Sequence, residues 1–135
     1  MSAGALQQKR SFLEGKVGTQ VGSALLTVTD DPHQRRGLGS RLFDQEGLAA
    51  KPLPLFEAGV LRNYYVDTYY GRKLKLTPTT AGASNVLFAP GAKELASLLA
   101  EVKEGIYVTG FLGGNSNSTT GFEFAPGSWP SPCQR

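Results

Sequence analysis

The sheet is read outward from Leu53-Pro54-Leu55-Phe56-Glu57-Ala58-Gly59-Val60-Leu61-Arg62-Asn63-Tyr64-Tyr65-Val66-Asp67. Apolar and aromatic residues run on both sides of Glu57-Ala58-Gly59, and the glycine stands where a tight turn needs positive φ. The stretch reads as a β-hairpin with arms at 53–57 and 60–67. Upstream, residues 24–29 (ALLTVT) are apolar and β-branched, so they read as a strand. Asp30-Asp31-Pro32 closes it, because proline cannot donate to a ladder and aspartate favours turns. Downstream, residues 68–74 read as a helical turn or two, and residues 77–85 (TPTTAGASN) as a polar loop. Residues 86–88 then form a short strand closed by Pro90-Gly91.

The helical signals lie outside this block. Leu95, Leu98, Leu99 and Val102 fall at i, i+3, i+4 and i+7, one apolar stripe that predicts an amphipathic helix from Ala92 to Glu104. Gly105 follows at the position a helix stop prefers. Residues 5–16 are a second, shorter candidate, with Leu6, Phe12 and Leu13 apolar and Gly15 and Gly18 as stops. Residues 106–112 are another apolar β-type run, 113–121 (GGNSNSTTG) a turn-rich loop, and 125–135 an irregular tail. The fold class is α+β, mainly antiparallel β-sheet with one clear amphipathic helix.

Composition agrees and excludes several function classes. The 17 Gly and 8 Pro among 135 residues favour short strands and many turns over a helical bundle. The length is that of one ordinary domain. No apolar run approaches the roughly 20 residues that span a bilayer, and no secretory signal is read at the N-terminus. One cysteine, Cys133, excludes an internal disulfide framework and fits a reducing cytoplasm. One histidine, His33, excludes a site built from two histidines of this chain. The net charge of +3 is spread over short pairs, Lys9-Arg10, Arg35-Arg36 and Arg72-Lys73, interrupted by acids. Tyr64, Tyr65, Tyr69 and Tyr70 near Arg62, Arg72 and Lys73 read as packed aromatics with a basic rim, which does not favour nucleic-acid binding.

The chemistry-bearing residues are few. Asp30-Asp31-Pro32-His33 puts two carboxylates beside the sole imidazole, which makes Asp31 and His33 a candidate polar site. Three ligands so close in sequence rarely converge on one ion without a fourth from elsewhere, so the plain reading is a capped turn with a histidine that is solvated or hydrogen-bonded. No Gly-x-Ser-x-Gly supports a serine triad. Gly113-Gly114-Asn115 lacks the lysine of a phosphate loop, and Cys133 has no helix N-terminus to lower its pKa. Asp44 and Glu46 flank a turn and read as solvated. The residues by themselves assign no catalytic, cofactor-binding or metal-ligating side chain.

Five stretches in order resemble the TldD/PmbA family, also called modulator of DNA gyrase. They are QQKRSFLEGKVG (from Gln7), LLTVTDDPHQRRGLGSRLFDQEG (from Leu25), EAGVLRNYYVDTYYGRKL (from Glu57), TAGASNVLFAPG (Ala81 through Gly91 at its core) and GFLGGNSNSTTGFEF. The resemblance covers residues 1–121 as the front part of the family's C-terminal domain, and residues 122–135 (FEFAPGSWPSPCQR) form a divergent tail of the kind a truncation or frame change leaves. It implies a zinc metallopeptidase complex that degrades unfolded or extended peptides. TldD-type subunits hold zinc with His-Glu-x-x-x-His, and PmbA/TldE-type subunits lack that site. The motif is absent here, and the wording around His33 and the QQKRSFLEGK opening are similar to the PmbA/TldE side.

The reading that follows is a fragment of a PmbA/TldE-like protein, non-catalytic by itself, cytoplasmic, with zinc expected in a TldD-like partner rather than in this chain. Its partners would be that subunit and extended peptides, in a homo- or hetero-oligomer. A peptide would add to the strand edge at 60–67, with Asn63, Tyr65 and Asp67 as the edge residues. The rival readings are a metallopeptidase that takes its missing ligands from a partner chain, and a truncated product without independent function.

Overall fold

The hairpin closes on two residues of positive φ, Ala58 at 48° and Gly59 at 79°. That two-residue turn matches the right-handed twist of the strands it joins. In this computed structural model residues 1–109 are described in full, and 114–116, 124–126 and 131–132 as backbone strands. The chain divides into two units, Met1–Ala89 and Pro90–Arg135.

The first unit is built on the hairpin. Strand β2 (Leu53–Glu57) pairs antiparallel with β3 (Val60–Leu61), Phe56 facing Leu61 and Glu57 facing Val60. On the other side of β2 lies β1 (Val28–Asp30), with a register irregularity between Val28 and Thr29. Strand β4 (Val86–Phe88) completes the sheet in the order β3-β2-β1-β4, also antiparallel. Helix α1 (Ala3–Gln7) and helix α2 (Thr68–Leu74) pack against each other. The apolar core joins Ala3, Leu6, Leu13, Leu61, Tyr64 and Val66. Its one polar intruder is satisfied, since the buried Tyr64 hydroxyl donates to the Leu13 carbonyl at 2.5 Å.

Several elements are shorter than their sequence patterns. The strand expected at 24–29 starts only at Val28, because residues 20–26 wrap the hairpin turn instead of extending. Val21 and Gly22 donate to the Gly59 carbonyl, and Gly59 donates to that of Leu26. A Cβ at position 59 would collide with the Gly22 carbonyl oxygen, so this wrap needs glycine there. The arm expected at 60–67 is a ladder strand only over Val60–Leu61. The helix expected at 5–16 is α1, capped by Ser2 and ended where Lys9 takes φ 53°. Helix α2 matches its expectation: Asp67 caps it by accepting from Tyr70 N, and Lys75 ends it in the left-handed conformation.

The second unit holds α3 (Leu95–Glu101) and two short antiparallel pairs. The helix is shorter than the predicted 92–104. Glu94 occupies the N-cap without a side-chain bond and Val102 is extended, so the stripe fixes a helix but nothing fixes longer ends. Lys93 reaches across to the Glu101 carboxylate at 2.5 and 2.7 Å. Strand β5 (Ile106–Tyr107) pairs with β8 (Ser131–Pro132), and β6 (Gly114–Ser116) with β7 (Phe124–Pro126). Strands therefore run through stretches read as loop and irregular tail. The rest of those stretches, Cys133 included, lies outside the described residues.

The packing sets a stability contrast. Leu61 is 0% exposed, so Leu61→Ala should cost about 2–5 kcal/mol. Leu38 is fully exposed, and Leu38→Ala should stay within about 0.5 kcal/mol. Urea unfolding checks both as a change in midpoint at constant m-value.

Candidate functional site

The expected edge at 60–67 is occupied by the chain itself. Gly18 N donates to Leu61 O, and Leu61 N to Thr19 O, so residues 18–19 close the outer side of β3. Tyr65 N donates to Met1 O and Ala3 N to Tyr65 O, which makes the N-terminal segment the neighbour of Tyr65. The Asn63 side-chain amide donates to Pro54 O at 2.8 Å. Asp67 is spent as the cap of α2. The second candidate pair also resolves into a turn: Asp31 accepts from the backbone N–H of His33 at 2.9 Å, and the His33 side chain is exposed.

The structure brings other polar residues together instead. Asp30, 2% exposed at the end of β1, accepts from Ser84 N at 2.9 and 3.0 Å and from Ser84 Oγ at 2.6 Å. The Asn85 amide donates to Asp31 O and Ser40 Oγ, and its oxygen accepts from Gly39 N. A Cβ at position 39 would meet the Ser84 carbonyl, so the Arg35-to-Ser40 loop can lie this close only through glycine. The Arg41 guanidinium donates to Thr80 Oγ1 at 3.1 Å and to Gly82 O, while its Nε is buried without a partner among the described residues. The Tyr65 hydroxyl is likewise buried and meets no partner in hydrogen-bonding geometry. Burial, then the neighbouring Asp30 charge, push its pKa up.

Asp44 corrects the expectation that it is solvated: it is 5% exposed. Its carboxylate accepts from Glu46 N, Leu48 N and Ala81 N at 2.9, 3.0 and 3.3 Å. Burial by itself would raise its pKa. The three backbone donors, with the Arg41 charge, outweigh that and hold it below the ordinary 3.8. Glu46 is exposed yet engaged, accepting Thr68 N and Thr68 Oγ1 at the start of α2. These bonds clamp residues 79–85 onto the loops that follow β1, and so fix where β4 begins.

Among the described residues, strand β4 has no neighbouring strand on one side. Asp31 N bonds Asn85 O and Ala89 N bonds Thr27 O. In an antiparallel ladder paired Val28↔Phe88, Thr29↔Leu87 and Asp30↔Val86, that phase turns Leu87's backbone groups toward β1. The N–H and C=O of Val86 and Phe88 therefore point outward, and β4 is the last strand of its sheet. The side chains of Val86, Leu87 and Phe88 are exposed, Phe88 at 67%. The sequence showed this run as a strand, but its place at a sheet edge is a property of the pairing.

Residues 1–126 match the family model described as the PmbA/TldA metallopeptidase C-terminal domain. The chain belongs to the TldD/PmbA family. The matched stretch extends into β7. A metalloprotease PmbA homolog of Buchnera aphidicola is 37% identical over 117 residues, covering 84% of this chain and 26% of that protein. A candidate modulator of DNA gyrase from Bacteroides thetaiotaomicron superposes with a TM-score of 0.83 at 46% identity, over 89% of this chain and 28% of that one. TldE from Thermococcus kodakarensis shares the fold, with a TM-score of 0.79 at 23% identity, over 91% and 30%. The chain thus spans roughly a quarter of the relatives it matches.

The metalloprotease name of those relatives raises the question of zinc. The described residues do not fit it: no three His, Cys, Asp or Glu side chains converge, His33 is exposed, and Asp44 is saturated by backbone donors. No described helix is long and apolar enough to cross a membrane.

The Asp44 clamp carries a pH dependence. A carboxylate whose folded pKa is depressed adds stability that is fully present above its unfolded value and is lost as pH falls through the folded one. Asp44→Asn should therefore lose about 1–3 kcal/mol at neutral pH. The gap to the unsubstituted chain should close as pH drops below about 4. Urea titrations across that range measure it.

Proposed function

We propose that this chain serves as a non-catalytic, PmbA/TldE-like part of a cytoplasmic metallopeptidase assembly, binding a TldD-like subunit and unfolded peptide rather than cutting peptide itself. The observation that carries this reading is where the polar groups are spent. Asp30, Asp44, Asn85 and Arg41 hold loops to the sheet, through bonds to Ser84, Ala81, Gly39 and Thr80. A general base or metal ligand must instead face a substrate with free valence. Along β4 the outward backbone groups of Val86 and Phe88 meet no further strand among the described residues, and such groups are the material of partner or peptide binding. Membership in a family of metalloproteases supports the assembly in which such binding would serve. The zinc would then reside in the TldD-like subunit.

The purified chain is expected to bind a fluorescein-labelled unfolded polypeptide without cleaving it, and to carry far less than one zinc per chain by mass spectrometry. Cleavage should appear only when a TldD-type subunit is added, and a chelator should stop it. Chelator-sensitive cleavage by the chain alone would overturn the non-catalytic role.

A further inference from the structure

The free backbone groups along β4 have a defined spacing and a charged neighbour. Val86 and Phe88 each present an outward N–H and C=O, two residues apart, which is the repeat of an extended strand. Only another extended backbone satisfies both pairs in register, whereas a helix or a small polar ligand does not. The exposed side chains of Val86 and Phe88 favour apolar residues at alternate positions of that strand.

The loop clamped at the start of β4 supplies the charge. Gly39 N bonds the side chain of Asn85, the residue immediately before β4, and the same loop carries the exposed Arg35 and Arg36. Neither arginine has a carboxylate partner in the first unit, where the ion pair formed is Arg62 with Glu57. Leu38 stands exposed between Gly37 and Gly39 on that loop. The loop held at the start of β4 therefore carries two exposed arginines and an exposed leucine.

We propose that β4 takes up an extended peptide as a fifth strand, with alternating apolar residues along Val86–Phe88 and an acidic end on Arg35 and Arg36. This rests on the peptide-binding reading above and adds where the peptide lies and what it carries. Phe88 N–H points away from β1, so proline at 88 removes an outward donor and leaves the β1 ladder intact.

The test uses the full chain and two short fluorescein-labelled peptides of alternating valine and serine, one ending in aspartates and one in lysines. Fluorescence anisotropy should show the acidic peptide binding more tightly. Phe88→Pro should weaken it about tenfold or more, the loss of a strand bond and its neighbour contacts, while Phe88→Val, which keeps the donor, should bind nearly as well as the unsubstituted chain. Circular dichroism melts establish that each variant folds. Arg35→Glu with Arg36→Glu lies on an exposed loop and should reverse the preference toward the lysine peptide. Equal binding by Phe88→Pro, or an unchanged preference after charge reversal, would overturn the β4 site and leave peptide binding elsewhere on the chain standing. Failure of every variant and of the unsubstituted chain to bind either peptide would overturn both readings.

Discussion

A buried carboxylate governs the arrangement of the sheet. Asp30 sits at the end of β1 with 2% exposure, where an unpaired charge would be costly. Three bonds from the Ser84 backbone and hydroxyl offset that cost. Because Ser84 lies two residues before β4, the same bonds hold the incoming chain in the register that pairs Asp30 with Val86. Without them, three residues of strand would be a weak determinant of position. The clamp thus converts a short, locally ambiguous run into a placed strand with a defined outer side.

The first unit is stabilised from two ends by different physics. At the hairpin end, apolar burial dominates: Leu61, Leu6, Leu13 and Val66 pack with Tyr64, and the tyrosine hydroxyl finds the Leu13 carbonyl. At the other end, Asp30, Asp44, Arg41 and Asn85 bind backbone groups of loops that could not pack by hydrophobicity alone. The loops are rich in glycine and proline, and their polar backbone groups need partners when buried. Side-chain amide and carboxylate groups supply them.

How much of this was legible follows from the range of each interaction. The Ala58-Gly59 turn, the α2 cap at Asp67 and the Val86–Phe88 run all rest on neighbours within a few residues, and the sequence showed them. The start of β1, the true length of the 60–67 arm and the burial of Asp44 rest on partners far along the chain. Ala81 N reaches Asp44 across 37 residues, and the Gln20 amide reaches Ala58 O across 38. Asn63, Tyr65 and Asp67 illustrate the same limit. Their alternation was visible, but the segments that claim their backbone and side chains came from the N-terminus, Pro54 and the first turn of α2.

Class, hairpin and family were readable along the chain, since turn chemistry, apolar periodicity and residue counts are local or additive. The sequence showed too that one histidine could not build a two-histidine site. Which edge of the described sheet lacks a further strand depended on long-range pairing. Hydrogen-bond phase in a sheet depends on which strands meet and in what register, and that is set by Asp30, Asn85 and the 18–22 segment acting across the fold. The 60–67 edge was therefore closed by the chain's own residues, and β4 was left facing outward.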